Sequence, residues 1–251
     1  MNGYKELLEK SVPENRLALC WLGQGGFAVK NHAGKVLLLD PYLSDYVEKI
    51  SGPAFARLVP PPLPVLQCRA DYLVLTHEHE DHTDDEAVPG LVSANPEMKI
   101  FAPGAARDKA LRLTGQKAAV SLFQRGDHAE AGGFSLNAVR ADHTEDSIGL
   151  MLKSGGVTLY FTGDGEYSEE VFGEAAAFRP QYVVAVINGK WGNMDAAQAV
   201  DMMRFFPEAV CIPCHYGMFT GNTVDPKRFF TLAEQAGVPT LALCHNASKE
   251  V

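Results

Sequence analysis

The stretch Leu73-Val-Leu-Thr-His-Glu-His-Glu-Asp-His82 limits what this chain can become more than any other. Four side chains that can hold a metal, His77, His79, Asp81 and His82, fall within six residues. The apolar run Tyr72 to Leu75 leads into them, and the acidic Asp84-Asp85-Glu86 follows. That order reads as a strand, a ligand-bearing loop and the start of a helix. A strand end at the edge of a sheet is where side chains from separate strands can converge. His77 and His79 are two apart and point the same way in extended backbone. Asp81 and His82 are neighbours, point to different sides, and so can serve a second ion. Neutral imidazoles with carboxylates suit a divalent metal such as Zn²⁺ or Mn²⁺. A solvated, charge-rich loop accounts for the acids, but not for three of the eight histidines lying directly behind a strand.

Four strand ends in all carry such a residue. Leu75 leads to His77, Val139 to His143, Phe161 to Asp164, and Ile212 to His215. Ligands at strand ends on one sheet edge can meet; ligands in mid-strand cannot. Between these points, strands are expected at 17–22, 27–30, 35–40, 99–101, 119–123, 134–140, 148–153, 157–161, 182–187, 209–213 and 238–243. Helices are expected at 86–93, 105–113, 166–178 and 195–206, with a last long helix capped by Asp225. The segment 1–16 is polar and helical in character. Strand hairpins and helices alternate in both halves, which predicts an α/β fold of two mixed sheets packed face to face with helices outside, a four-layer αββα sandwich. One domain over residues 1–251 is expected from the length and the 46% hydrophobic content.

Other features carry less. Gly23-Gln-Gly-Gly26 runs strand to strand and reads as a plain hairpin turn, with no helix behind it to make a phosphate cradle. Asp40, at a strand end, either supports a ligating histidine or caps a turn. The prolines of 51–64 exclude regular structure there, and its apolar character predicts an ordered loop, with the site as one surface it could cover. Arg57, its one charge, reads as solvated or as an anion contact. His128 sits among turn residues and reads as surface. Cys211 and Cys214 have redox spacing but fall in a strand, which favours two packed thiols.

Composition excludes several classes. The net charge is −9 without a basic block, which argues against nucleic acid. No apolar run is long enough to span a bilayer, so no membrane is expected. Five scattered cysteines and no secretory leader point to a reducing cytoplasm. A small-molecule substrate is the expected partner, and a homo-oligomer is compatible with this surface.

With these residues in hand, the chain resembles the metallo-β-lactamase superfamily. His77-x-His79-x-Asp81-His82, His143, Thr162-Gly-Asp164 and Pro213-x-His215-Tyr216 carry the likeness, from about Leu17 to past Asp225. Within it, Trp21-Leu22-Gly23, Tyr167-Ser168, Gly192-Asn193-x-Asp195 and Val200-Asp201-Met202 are similar to L-ascorbate-6-phosphate lactonases and related metal-dependent hydrolases. The resemblance implies that His77, His79 and His143 hold one ion, that Asp81, His82 and His215 hold another, and that Asp164 bridges. It implies a metal-dependent hydrolase with one or two divalent ions, acting on a small, anionic lactone or ester. The chain departs from the lactonases in lacking their long insertions and in carrying Gly165-Glu166 after Gly-Asp.

For mechanism, Asp81 and Asp164 are the expected catalytic carboxylates, Asp81 also orienting the nucleophile or passing its proton to the leaving group. Lys190, Trp191, Asn193 and Tyr216, in loops at strand ends, are the candidate substrate contacts; an exposed Lys190 or a packed Tyr216 are the plainer alternatives. A phosphodiesterase or phospholipase-like hydrolase is the second reading. A non-catalytic metal-binding or sensing protein is the third.

Overall fold

The computed structural model describes residues 3–251; Met1 and Asn2, which open the helical segment expected at 1–16, lie outside the described residues. The chain first forms α1 (Gly3–Glu9), β1 (Ala18–Gly23), β2 (Gly26–Lys30), β3 (Val36–Leu39), α2 (Tyr46–Ser51) and β4 (Tyr72–Val74). It continues with α3 (Ala87–Ala94), β5 (Lys99–Ala102), α4 (Gly104–Thr114), β6 (Ala119–Leu122) and β7 (His128–Ala131). Then come β8 (Phe134–Arg140), β9 (Ile148–Ser154), β10 (Val157–Phe161), α5 (Glu169–Ala176) and β11 (Tyr182–Val186). The chain ends with α6 (Ala196–Met202), β12 (Val210–Cys214), α7 (Lys227–Ala236) and β13 (Ser248–Glu250).

Seven strands form one sheet in the order β13-β1-β2-β3-β4-β5-β6, and six form the other, β12-β11-β10-β9-β8-β7. Both are mixed. β13, β1, β2 and β3 are antiparallel, and β3 to β6 are parallel. Likewise β7 to β10 are antiparallel, and β10 to β12 parallel. This is the expected α/β sandwich.

Strand alternation builds the layers. In β1, Leu19 and Trp21 join the core between the sheets, while Ala18, Cys20 and Leu22 face the second core with Leu7 of α1 and Leu91 of α3. Side chains of a strand point alternately to opposite faces, so a strand packed on both sides is apolar throughout. β1, β2 and β3 are buried at every position.

Several sequence expectations shift. Residues 238–243 are not a strand: Pro239 lacks a donor N–H, and only the Cys211–Thr240 bridge forms beside β12. The last strand is instead Ser248–Glu250, paired with β1. His128 opens β7 rather than lying in a turn. α5 starts only after Ser168, whose hydroxyl accepts from the Val171 N–H. Asp195 caps α6 in a full capping box with Gln198. Asp225 accepts from the Lys227 N–H, although Pro226 holds the cap position of α7.

Candidate metal centre

β3 stops at Leu39, and Asp40 turns into the left-handed region with φ 42°. A non-glycine residue there is costly and marks a constrained site. The turn aims its buried carboxylate at the loop after β4. Oδ1 accepts from the Thr76 N–H at 2.8 Å, the Thr76 hydroxyl donates to Oδ2, and Oδ2 lies 2.8 Å from His82 Nδ1. The structure bears out both readings of Asp40: its carboxylate caps the turn at Thr76 and lies against His82. The Thr76 hydroxyl also lies 3.0 Å from His77 Nδ1. Its proton goes to Asp40, so it accepts the Nδ1–H of His77, which leaves Nε2 bare and facing inward.

There His77 Nε2 lies 3.0 Å from His79 Nδ1, which lies 3.2 Å from His143 Nε2. Donors 2.0–2.1 Å from a tetrahedral ion sit about 3.3 Å apart. Three lone-pair nitrogens at this spacing have the chemistry of an ion site. Asp81, His82 and His215 form a second group whose ligand atoms lie within 4.8 Å of one another. Asp164 reaches both groups. Its Oδ1 is 3.3 Å from His82 Nε2; its Oδ2 is 3.2 Å from His215 Nε2 and 3.9 Å from His143 Nε2. His82 Nε2 and Asp164 Oδ1 are buried without a hydrogen-bond partner. Such orphaned atoms need a ligand, and a divalent cation shared by these donors satisfies them. The residues present fit the metal that the sequence implied.

The strand ends that supply these groups have local causes. Gly163 (φ 67°) lets the chain pass between β10 and Asp164; a Cβ there would lie 2.8 Å from the Ile148 carbonyl. His215 follows β12 with φ 64°. Lys109 of α4 donates to the Glu78 carbonyl at 2.8 Å and pairs with Asp85 at 2.8 Å, fixing the loop from behind.

The charges balance internally. Burial, then the neighbouring His82, holds His77 well below the usual histidine range, so it is neutral and able to ligate. Burial also lowers His143. Burial opposes the ionisation of Asp164, but His215 and His82 outweigh it and hold the carboxyl well below its usual range. In turn, burial opposes charge on His82 and His215, but Asp164 outweighs it and raises both.

The second rim is the loop after β11. The Asn193 N–H donates to the Lys190 carbonyl at 3.0 Å, with Trp191 (φ 57°) and Gly192 (φ 81°) between them. Two left-handed central residues make a type I′ turn. A Cβ on Gly192 would lie 3.6 Å from His143 Nδ1, so this turn borders the first ligand group. Trp191 is 69% exposed beside it. Lys190 reaches the Gly221 carbonyl at 3.1 Å. Asn193 is buried, and its amide is spent on Asp164 Oδ2 (2.8 Å) and the Gly165 N–H (2.9 Å). It serves the shared carboxylate. Tyr216 packs on Trp21 with ring centroids 4.8 Å apart.

The proline-rich segment is ordered and lies on the loop that follows His215. Leu58 N–H donates to the Met218 carbonyl and Gly221 N–H to the Ala54 carbonyl. Arg57 is not simply solvated: it donates to the Tyr42 and Val59 carbonyls, and its Nη2 is buried without a partner. His128 is exposed and pairs with Glu130, away from the cluster. Cys211 and Cys214 are buried, and three apart on a strand they face opposite ways. Burial pushes the Cys211 thiol up to about 12 and raises Cys214 well above its usual value, so both are inert packed thiols.

Sequence reasoning missed Thr76, Lys109 and the use of Gln24 and Asn193. Thr76 and Gln24 stand next to motif residues, which was the available signal; Lys109 left none.

Fold and site together define a metal-dependent hydrolase of the metallo-β-lactamase fold. A family model described as the beta-lactamase superfamily domain matches residues 18–215, and the chain belongs to that superfamily. A UPF0173 metal-dependent hydrolase of Sulfurisphaera tokodaii is 28% identical over 240 residues, covering 93% of this chain and 99% of that protein. Among solved structures, Igni18, a metallo hydrolase of Ignicoccus hospitalis, aligns with a TM-score of 0.73 at 21% identity, over 94% of this chain and 98% of its own. An isothiocyanate hydrolase from Delia radicum gut bacteria aligns with a TM-score of 0.72 at 18% identity, over 92% and 98%. Among the described residues, no helix is long and apolar enough to cross a membrane.

Proposed function

We propose that this chain hydrolyses a small, anionic lactone or ester, in the manner of the ascorbate-6-phosphate lactonases it resembles, with His77, His79 and His143 holding one divalent ion and Asp81, His82 and His215 a second. The observation that supports the reading is the Asp164 carboxylate between the two groups, with Oδ1 3.3 Å from His82 Nε2 and Oδ2 3.2 Å from His215 Nε2 and 3.9 Å from His143 Nε2. A bound ion would supply a water of lowered pKa and polarise the substrate oxygen. The chain's own residues do the rest. Asp40 and Thr76 hold His82 and His77 in the ligating tautomer. Asp81, still partly exposed, accepts from Gln24 through Oδ2. Its carboxylate is placed to orient the attacking water and carry its proton to the leaving group. His79 opens the cluster to solvent, giving a carbonyl its way in. Lys190 and Trp191, which precede Gly192 in the turn beside His143, are the proposed contacts, a cation for the anionic group and an aromatic face for the ring.

The Zn²⁺ and Mn²⁺ forms, offered phosphorylated sugar lactones, neutral lactones and bis-p-nitrophenyl phosphate, test the substrate class. The reading expects turnover of the anionic lactones at least tenfold above the diester. Turnover of the diester alone would overturn it in favour of a phosphodiesterase.

A further inference from the structure

The glycine-rich turn between β1 and β2 enters the function assigned so far only through the bond from Gln24 to Asp81. It is nevertheless wedged against the cluster. A Cβ on Gly25 would lie 2.7 Å from His82 Cε1, and one on Gly26 would lie 2.9 Å from the Asp40 carbonyl. Only glycine lets the backbone come so near two of the groups that build the site.

Gln24 sits at its tip, fully buried and in the left-handed region with φ 48°. Its main-chain carbonyl accepts two hydrogen bonds, from the Trp21 indole at 2.9 Å and from the His215 N–H at 3.1 Å. Its side-chain Nε2 donates to Asp81 Oδ2 at 2.9 Å and lies 3.5 Å from His215 Nε2. Its Oε1 is buried without a partner. A fully buried polar residue in strained backbone, with one amide atom left unsatisfied, is unfavourable for folding on its own. The arrangement is accounted for by what the other atoms hold.

We infer that Gln24 is the positioning residue of the Asp81–His82–His215 ion site, its amide fixing the Asp81 carboxylate and its carbonyl fixing the His215 backbone. The inference rests on the two-ion reading proposed above. Asp81 and His82 both lie within the loop after β4; Asp40 holds His82, and Gln24 is what holds Asp81. An Nε2–H···Oδ2 bond restrains one carboxylate oxygen and leaves Oδ1 directed at His82, 3.9 Å from its Nε2. Trp21 extends the support outward. It stacks on His245 with centroids 4.1 Å apart, and through Gln24 its packing reaches the ligands.

Gln24→Met tests this. It keeps the side-chain length and the main-chain contacts, removes the donor, and also removes the unsatisfied oxygen. Zn²⁺ titrated against a competing chelator, with the thermal midpoint of the metal-free protein measured in parallel, gives a readout apart from activity. The inference expects two ions in the wild type and a 10- to 100-fold weaker second ion in Gln24→Met, the size seen when support of a ligand is lost. It expects the first ion and the metal-free midpoint to be unchanged. Equal binding of both ions by variant and wild type would overturn the role of Gln24. So would parallel weakening of both ions with a lowered metal-free midpoint. A wild type that binds no ion would instead sink the two-ion reading itself.

Discussion

Asp40 Oδ2 and His82 Nδ1 lie 2.8 Å apart, both side chains all but closed to solvent and both outside regular strand or helix. The pair sets which nitrogen of His82 carries the proton, and so presents Nε2 to Asp164 and Asp81. Removing its charge loosens a ligand without removing one.

Asp40→Asn therefore keeps the size of the side chain and weakens metal binding. Loss of such a partner costs 10- to 100-fold in affinity, or about 1.4–2.7 kcal/mol. Competition with a chromogenic chelator reads it directly. An unchanged affinity would show that Asp40 only supports the turn at Thr76.

Lys109 acts on the same loop from the other side. Its ammonium is buried on α4 against Asp85 and the Glu78 carbonyl. Lys109→Met leaves the half-buried Asp85 without its cation. Breaking a buried pair by removing one partner costs about 3 kcal/mol. The urea midpoint should fall accordingly, and the metal-bound form should recover part of the loss by mass action.

His245 gives the chain an acid sensitivity. Burial, with Arg57 nearby, lowers its pKa to about 4 against the pull of a hydrogen bond to the Tyr216 backbone. The folded value lies below the unfolded value of about 6.5. The neutral ring therefore contributes stability that is full above pH 6.5 and is lost as pH falls toward about 4. His245→Phe keeps a ring on Trp21 and removes the titration. Its urea midpoint should fall less than the wild type's between pH 7 and pH 4.5; equal falls would contradict the linkage.

Trp191 is large, apolar and exposed, in left-handed backbone bordering His143. Trp191→Gly relieves the backbone and removes the ring. The proposed substrate contact then appears as a rise of about tenfold in KM, worth about 1.4 kcal/mol, with an unchanged or raised thermal midpoint. A KM unchanged for every substrate turned over would remove Trp191 from the site.

The convergence of the candidate ligand side chains was legible because strand ends are local signals. Hydrophobic runs ending at His77, His143, Asp164 and His215 mark both the strands and the places where they stop. Sheet order was not legible, since the partner of each strand is chosen by contacts distant in sequence, as when Ser248–Glu250 pairs with β1. The run 238–243 looks like a strand by composition, yet a proline at 239 leaves it a single bridge. Arg57 reads as solvated because nothing local announces the carbonyls of Tyr42 and Val59 that it meets in the fold. Gln24 and Asn193 hide for a similar reason. A carboxamide has no preferred partner in sequence, and only the fold brings each of them to a carboxylate.

The proposed hydrolysis requires two ion sites that share Asp164. Metal-stripped protein should be titrated with Zn²⁺ or Mn²⁺ while turnover of an anionic lactone is followed, alongside His79→Ala. Turnover should be absent without metal, rise to a plateau at two ions per chain, and fall below about one-thousandth of that rate in a folded His79→Ala, a loss of about 4 kcal/mol. Full activity in the metal-stripped protein or in His79→Ala would contradict that requirement.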